Sequence, residues 1–385
     1  MKKVLFVCEG AFPPTSGTSI VLNNLISEFQ SDSVMLAGEK SFGADISKWE
    51  LPSYPIHIFD HNYTFDVKGS KYLIWTQLNK VVREIINIAK EFGASVIIGI
   101  YPSEFYCYAA AKAAKKLGIA FHCWFHNTYK DNRTGILLLA ANYIQPFIFR
   151  NAGYIFTMSK GMNEYMSRNY GEYRSKFMPL LHGFDVPPVK EKVDIEIGSK
   201  VKFLLNGNIN HSNSDATERL CKAVLNDQRY ELHVYSGTKK ETFTAMGITG
   251  NNFFHNTFLP KFEDLVAKFE EYDVMLLPHG FYGNLSKAEY ETIFPTRTIP
   301  LLYSGKPILA HCPSDTNLYK FLSENECASV ISQKDRDIIQ KAITELVTDE
   351  ILRATLVRNS MEKAQLFSSR TVARFLNKKL NLYDG

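Results

Sequence analysis

The feature that most limits the folds open to this chain is an alternation. Short apolar runs, KVLFV, SVMLAG, ASVIIGI, IAFHCWF, YIFTMS and KFMPLL, recur through the first 185 residues with helix-like stretches between them. Runs so uniformly apolar suit strands buried on both faces, and a helix after each strand returns the chain for another parallel one. The clearest helix spans Lys71 to Phe92, where Ile74, Leu78, Val81, Ile85, Ala89 and Phe92 share a face and Gly93 closes the end. The expectation over residues 1–185 is a doubly wound α/β domain.

Periodicity then lapses. Residues 186–199, rich in proline, lysine and glutamate, read as a linker. The alternation restarts with VKFLLNG, YELHVYSG, NNFFHNTF, YDVMLLP, KPILAH and ASVIS, separated by helices such as Phe262 to Tyr272 and Asp335 to Thr348. A second doubly wound domain is therefore expected over 200–366. Residues 367–385 form an amphipathic terminal helix that Ser368 or Ser369 can cap. A chain of 385 residues, 45% of them hydrophobic, is long enough for two separate cores. Two open sheets meeting at their strand ends make a cleft.

Composition narrows the chemistry. A formal charge of +4, spread over helices, argues against nucleic acid as a partner. Six cysteines without a C-x-x-C pair suit a reduced compartment and argue against disulfides and zinc. The basic start MKK is followed by only about six apolar residues, fewer than a signal peptide needs, and reads as a first strand. GILLLAANYIQPFIF, Gly135 to Phe149, falls short of the roughly 20 residues of a membrane span. It is either a core helix or, with nearby lysines, a surface that touches a membrane. Dinucleotide and P-loop glycine patterns, a G-x-S-x-G elbow and H-E-x-x-H are all missing. The acids Asp335 and Asp337 suit a helix start better than a metal-bound diphosphate.

Several strand ends carry ligand-type residues. GAFPPTSGTSIVLNNL bends at Gly17 into a helix capped by Thr18 or Ser19, either an ordinary turn or an anion site. His126 follows the strand IAFHCWF, at the edge where open sheets bind ligands, whereas His122 lies within it and reads as structural. In the second half, a polar turn at Gly207 offers Asn208, His211 and Ser212, and a long loop carries His279, Glu289 and Glu291. Each of these residues also has a plain structural or solvated reading.

Together the motifs resemble those of GT-B glycosyltransferases, most closely family 4, over nearly the whole chain. Pro13, Pro14 and Gly17 match the family's first loop, with Thr18 in place of a second glycine. His126 and Asn127 match its H-D/N pair, MPLLHGFDV is similar to its crossover IPNGVD, with His182 where Asn is usual, and FLLNGNIN matches its F-x-G-R turn. TFLPKFEDLVAKFEEYDVMLLP resembles the run that holds the nucleotide base, near Phe258 and Leu259, and FPTRTIPLLYSGKP resembles FPSKxxEYLASGKP.

The resemblance implies a fold of two Rossmann-like domains facing across a cleft, with the C-terminal helix crossing back to the first. It implies transfer of a sugar from a nucleotide-sugar to a glycan or lipid-linked acceptor, retention of configuration, no metal and no cofactor beyond the substrate itself. The work would serve surface polysaccharide or lipid-linked glycan synthesis in the cytoplasm, at the inner face of a membrane. Donor contacts would come from Gly17, Thr18, Gly207, Asn208, Gly237, Phe258, Leu259, Thr296 and Thr298, with His126, Arg297 and Glu291 nearest the chemistry.

Three departures qualify this. The family's Arg after the turn glycine is Asn208, the Lys beyond it has no equivalent, and its paired glutamates fall on Thr292 and Pro300. Pro300 fits best in a first helical turn, so that helix should start late and leave Thr296, Arg297 and Thr298 as a turn with free amides. Arg297 can then supply the positive charge that Asn208 does not, and loss of the ribose contact raises a deoxyribose nucleotide as a ligand. The departures also fit a non-catalytic GT-B subunit supporting an active partner. A nucleotide-sugar epimerase is a further alternative, although no acid and base pair suggests itself.

Overall fold

A computed structural model describes residues 2–41, 44–59, 73–187, 189, 196–259, 262–281 and 286–382. Half of the linker, at 188 and 190–195, the expected helix start at 71–72 and the loop at 282–285 lie outside the described residues. The chain divides into two compact units. One runs to Asp185 and includes the stretch from Ser368 onward, and the other is Val186–Phe367.

The first unit has strands β1 (Val4–Phe12), β2 (Val34–Lys40), β3 (Ile56–Ile58), β4 (Val96–Tyr101), β5 (Ala120–Phe125), β6 (Ile155–Thr157) and β7 (Phe177–Pro179). They form one parallel sheet in the order β3-β2-β1-β4-β5-β6-β7. Val4, opposite Val34 on one side and Val96 on the other, lies fully buried at the centre. At Gly38 the chains approach so closely that an added Cβ would fall 2.2 Å from the Cys8 carbonyl oxygen, which leaves room for glycine alone. The expected helix of 71–92 resolves into a 3-10 turn, Leu73–Gln77, and an α-helix, Leu78–Phe92. Gly93 ends it in the left-handed region at φ 76°.

The second unit has β8 (Val201–Asn206), β9 (Tyr230–Ser236), β10 (Phe253–Thr257), β11 (Val274–Pro278), β12 (Ile308–His311) and β13 (Ser329–Ile331). Their order, again all parallel, is β10-β9-β8-β11-β12-β13. Phe203, Leu205, Val274 and Leu276 alternate with their neighbours to pack one face against Leu220 and Val224 of the Ser214–Leu225 helix. Both sheets are therefore the doubly wound type expected, and in each the order reverses between the first and fourth strands of the unit. Crevices at the carboxyl ends of such strand pairs are where open α/β sheets take ligands.

The terminal helix, Ser369–Leu380, belongs to the first unit, where Ser369 N donates to the Phe184 carbonyl at 2.8 Å. Ser368 occupies its cap position without making a side-chain cap bond. All six cysteines are buried and free.

Candidate functional site

The second unit places its most informative side chain at that reversal. Arg297 Nη1 donates to the Asn206 carbonyl, the last residue of β8, and Nη2 to the Pro278 carbonyl, the last of β11, each at 3.2 Å. The guanidinium thus spans the carboxyl ends of the two central strands. The residue as a whole is partly exposed, yet desolvation brings the guanidinium's pKa down to about 10. No carboxylate among the described residues pairs with it. Asn206 Oδ1 and Thr298 Oγ1, on residues tied to the same crevice, are buried and also lack hydrogen-bond partners among the described residues. A desolvated cation beside unsatisfied polar atoms is a combination that an anion with further polar groups would satisfy.

Local sequence explains how Arg297 gets there. The helix after the loop starts late, at Thr298, runs only to Leu302, and holds Pro300 in its first turn, where a missing N–H costs nothing. Arg297 is its N-cap residue. The turn is less open than expected, because the Thr298 amide donates to the Pro295 carbonyl at 2.9 Å and the Thr298 side chain is buried. Thr296 remains partly exposed, its carbonyl accepting from Ile299 N at 3.3 Å.

Gly207 lies against the guanidinium. Its φ of +97° is hard for other residues, and a Cβ there would stand 3.3 Å from Arg297 Nη1. Asn208, at the place of the family's arginine, is a strap between loops: its Oδ1 accepts from Gly237 N at 2.8 Å and from Ser236 Oγ at 3.3 Å. Gly237 is shaped to this bond, since a Cβ there would meet Asn208 Oδ1 at 3.1 Å. Phe258, 46% exposed, and Leu259 follow β10, the edge strand of the sheet.

The long loop is mostly spoken for. Glu291 pairs with Lys287 at 3.3 Å along the Lys287–Thr292 helix, and buried Glu289 sits in that helix's first turn. His279 is buried and bonded through Nε2 to the Tyr290 carbonyl at 3.2 Å, and burial pushes its pKa down to about 4. His211 is exposed, with its carbonyl accepting from the Tyr290 hydroxyl at 2.8 Å, and Ser212 bonds to Asn210.

The first unit offers different chemistry. His126, directly after β5, is buried with both ring nitrogens unpartnered among the described residues. Its ring lies 4.7 Å from that of His182, in the loop after β7, whose two nitrogens are buried and unpartnered as well. Trp124 packs its edge against His126 at 4.3 Å and donates its indole N–H to the Leu180 carbonyl at 3.1 Å, fixing the loop that carries His182. Burial holds both imidazoles neutral, His182 at a pKa of about 4, with the neighbouring ring adding to the effect on His126. Each neutral ring has one donor and one acceptor to offer, the set a hydroxyl requires. Sequence reasoning marked His182 as an oddity of the crossover and missed its place beside His126.

Gly17 and Thr18 open the Gly17–Ile26 helix. The cap is Ser16, not Thr18 or Ser19: Ser16 Oγ accepts from Ser19 N at 3.2 Å while Ser19 Oγ accepts from Ser16 N at 2.9 Å. His122, within β5, accepts from Tyr154 N through Nδ1 at 2.9 Å and is structural, as its position suggested. No group of His, Cys, Asp and Glu able to hold a metal occurs among the described residues.

No protein-family model and no curated protein matches the chain. Its likeness is to solved structures. Anabaena HepE in complex with UDP superposes with a TM-score of 0.71 at 15% identity, covering 99% of this chain and 100% of that one. Sucrose-phosphate synthase from Thermosynechococcus elongatus gives 0.70 at 13% identity, covering 99% and 98%. The lipopolysaccharide outer core galactosyltransferase WaaB, in its apo form, gives 0.63 at 15% identity, covering 99% and 100%. Two parallel doubly wound sheets, of 7 and 6 strands, matched from end to end by such structures, establish that this chain has the GT-B fold.

Proposed function

We propose that the protein is a glycosyltransferase that takes a nucleotide-sugar donor. The observation that carries this reading is Arg297, a desolvated guanidinium held at the reversal of the second sheet with no carboxylate of its own. A diphosphate is the ligand that such a cation fits, because arginine meets phosphate oxygens through two parallel N–H donors. Charge growing on a departing diphosphate would be stabilised there without a metal, the electrostatic contribution that dominates many transfer sites. HepE, solved with UDP, with UDP and glucose, and with UDP-glucose, supports the donor class.

His126 and the helix start at Gly17 and Thr18 supply the hydroxyl-binding and amide groups of the first unit. On this reading Gly207, Asn208 and Gly237 shape the floor of the diphosphate pocket, and Phe258 and Leu259 present backbone to the base. Retention of configuration, a hexosyl group, and a glycan or lipid-linked acceptor complete the proposal; they rest on the resemblance of the motifs. Glu291, held by Lys287, is left with a sugar hydroxyl contact at most.

A second reading has its own observation. Asn208 is committed to Gly237, and no acid stands at Pro300, so a non-catalytic subunit with a relic pocket is the competing account. Incubation of the purified chain with a panel of nucleotide-sugars, including deoxyribose nucleotides, separates the two when release of the nucleoside diphosphate is followed by mass spectrometry. The enzyme reading expects release that Arg297→Met slows most and His126→Ala slows to a lesser degree. Absence of release from every donor, together with no thermal stabilisation by any nucleoside diphosphate, would overturn it.

A further inference from the structure

We infer that the exposed face of the Gly135–Asn151 helix docks the first unit onto an anionic lipid surface. The inference is independent of the reaction, because it rests on a different part of the molecule. The helix buries Ala141, Ile144, Gln145, Ile148 and Phe149 on one side. On the other, Ile136 is 70% exposed, Leu139 70% and Tyr143 63%, and the spacing of three and four residues aligns them in one stripe that continues through Phe147 to Arg150. Leu137 widens the stripe at its start. Large apolar side chains so exposed and so aligned mark an interaction surface instead of a scatter of surface residues.

Charge says which partner fits. From Glu104 to Arg150 the sequence holds six cations, Lys112, Lys115, Lys116, Lys130, Arg133 and Arg150, and two acids, Glu104, which pairs with Arg133 at 3.2 Å, and Asp131, for a net charge of 6 − 2 = +4. Asp131 is occupied by the hydroxyls of Tyr165 at 2.6 Å and Tyr170 at 3.2 Å. Lys112 and Lys115, on the neighbouring Glu104–Leu117 helix, stand over the Phe147 ring at 5.9 Å and 5.7 Å, so cations flank the stripe itself. Apolar side chains on one line with lysine and arginine along its border are the pattern of a helix that lies in a membrane interface, its rings and alkyl groups among acyl chains and its cations at the headgroups. Among the described residues no helix is long and apolar enough to cross a membrane, so the contact would be made by this face alone.

The test uses the full chain and sedimentation with vesicles, comparing equal parts phosphatidylglycerol and phosphatidylcholine with phosphatidylcholine alone. Binding to the mixed vesicles is expected, weakening with added salt, with little on the neutral ones. Each cation near the surface contributes roughly fivefold, so Lys112→Glu with Lys115→Glu should weaken binding by more than tenfold. Ile136→Glu with Leu139→Glu should abolish it. All four positions are at least partly exposed, so melting temperature and circular dichroism should match the wild type. Failure of the wild type to bind mixed vesicles, or unchanged binding by the Ile136 and Leu139 variant, would overturn the inference. So would a concentration-dependent dimer that Leu139→Glu dissociates while vesicle binding stays absent, which would give the face to a second copy of the chain.

Discussion

The carboxyl edges of the two sheets differ in one decisive respect. The second unit holds a cation there, Arg297, fastened to two strand-end carbonyls. The first holds a pair of imidazoles, His126 and His182, kept neutral by burial and left without partners. One edge is suited to negative charge and the other to hydroxyls. The same doubly wound architecture, used twice, acquires its chemistry from whichever few residues follow the strands.

Breaking the charged side should have the largest effect. On the proposed reading, replacing Arg297 by Met removes the donor for a developing phosphate charge, and a loss of about a hundred- to a thousandfold in kcat/KM is expected. The unliganded protein should melt close to the wild type, because the cost of desolvating the guanidinium offsets the loss of its two bonds. A variant that simply unfolds would show Arg297 to be structural.

The neutral side should be softer. His126→Ala or His182→Ala is expected to lower kcat/KM by about ten- to a hundredfold, the worth of one or two hydrogen bonds to a substrate hydroxyl. His182→Asn should recover part of that, since an amide also offers one donor and one acceptor group. No recovery, with equal loss of thermal stability in both His182 variants, would point to packing against Trp124 instead.

Gly207→Ala sharpens the comparison from the backbone. Placing a Cβ at φ +97° costs about 1–2 kcal/mol of stability, and the same atom presses on Arg297 Nη1. Diphosphate affinity should fall along with the melting temperature, as calorimetry would show. Unaltered affinity would detach Gly207 from the pocket.

Acid should act on both units through their buried histidines. Folded pKa values near 4 for His182 and His279 lie below the ordinary 6.5, so the unfolded chain binds more protons between those limits. Stability is then fully present above pH 6.5 and falls as pH drops towards 4, by about 2 kcal/mol for each such histidine at pH 5. A melting temperature flat from pH 7 to pH 5 would contradict this. The smallest effect belongs to Glu291→Gln, less than about threefold in kcat/KM, because an exposed pair with Lys287 contributes little.

Much of the scaffold was legible in the sequence, since apolar runs and helix periodicity are local signals. Twelve of the strands match runs such as KVLFV and YDVMLLP, and Pro300 located its helix start. The three-residue β3 was too short to register, and the helix Glu350–Ala364 has no clean apolar stripe to announce it. At the site, residue types were readable but partners were not. That Arg297 reaches Asn206, 91 residues earlier, or that His182 meets His126 across an intervening strand, follows from topology and side-chain reach. The cap at Ser16 was missed for a smaller reason: four neighbouring hydroxyl residues, Thr15, Ser16, Thr18 and Ser19, compete, and only the backbone turn decides.

Calorimetric titration of UDP and of UMP into the wild type and Arg297→Met tests the central claim most directly. A pocket built around this guanidinium predicts that the wild type prefers the diphosphate by tenfold or more and that the variant binds both nucleotides alike. Undiminished preference for UDP in Arg297→Met, with the fold intact, would contradict it.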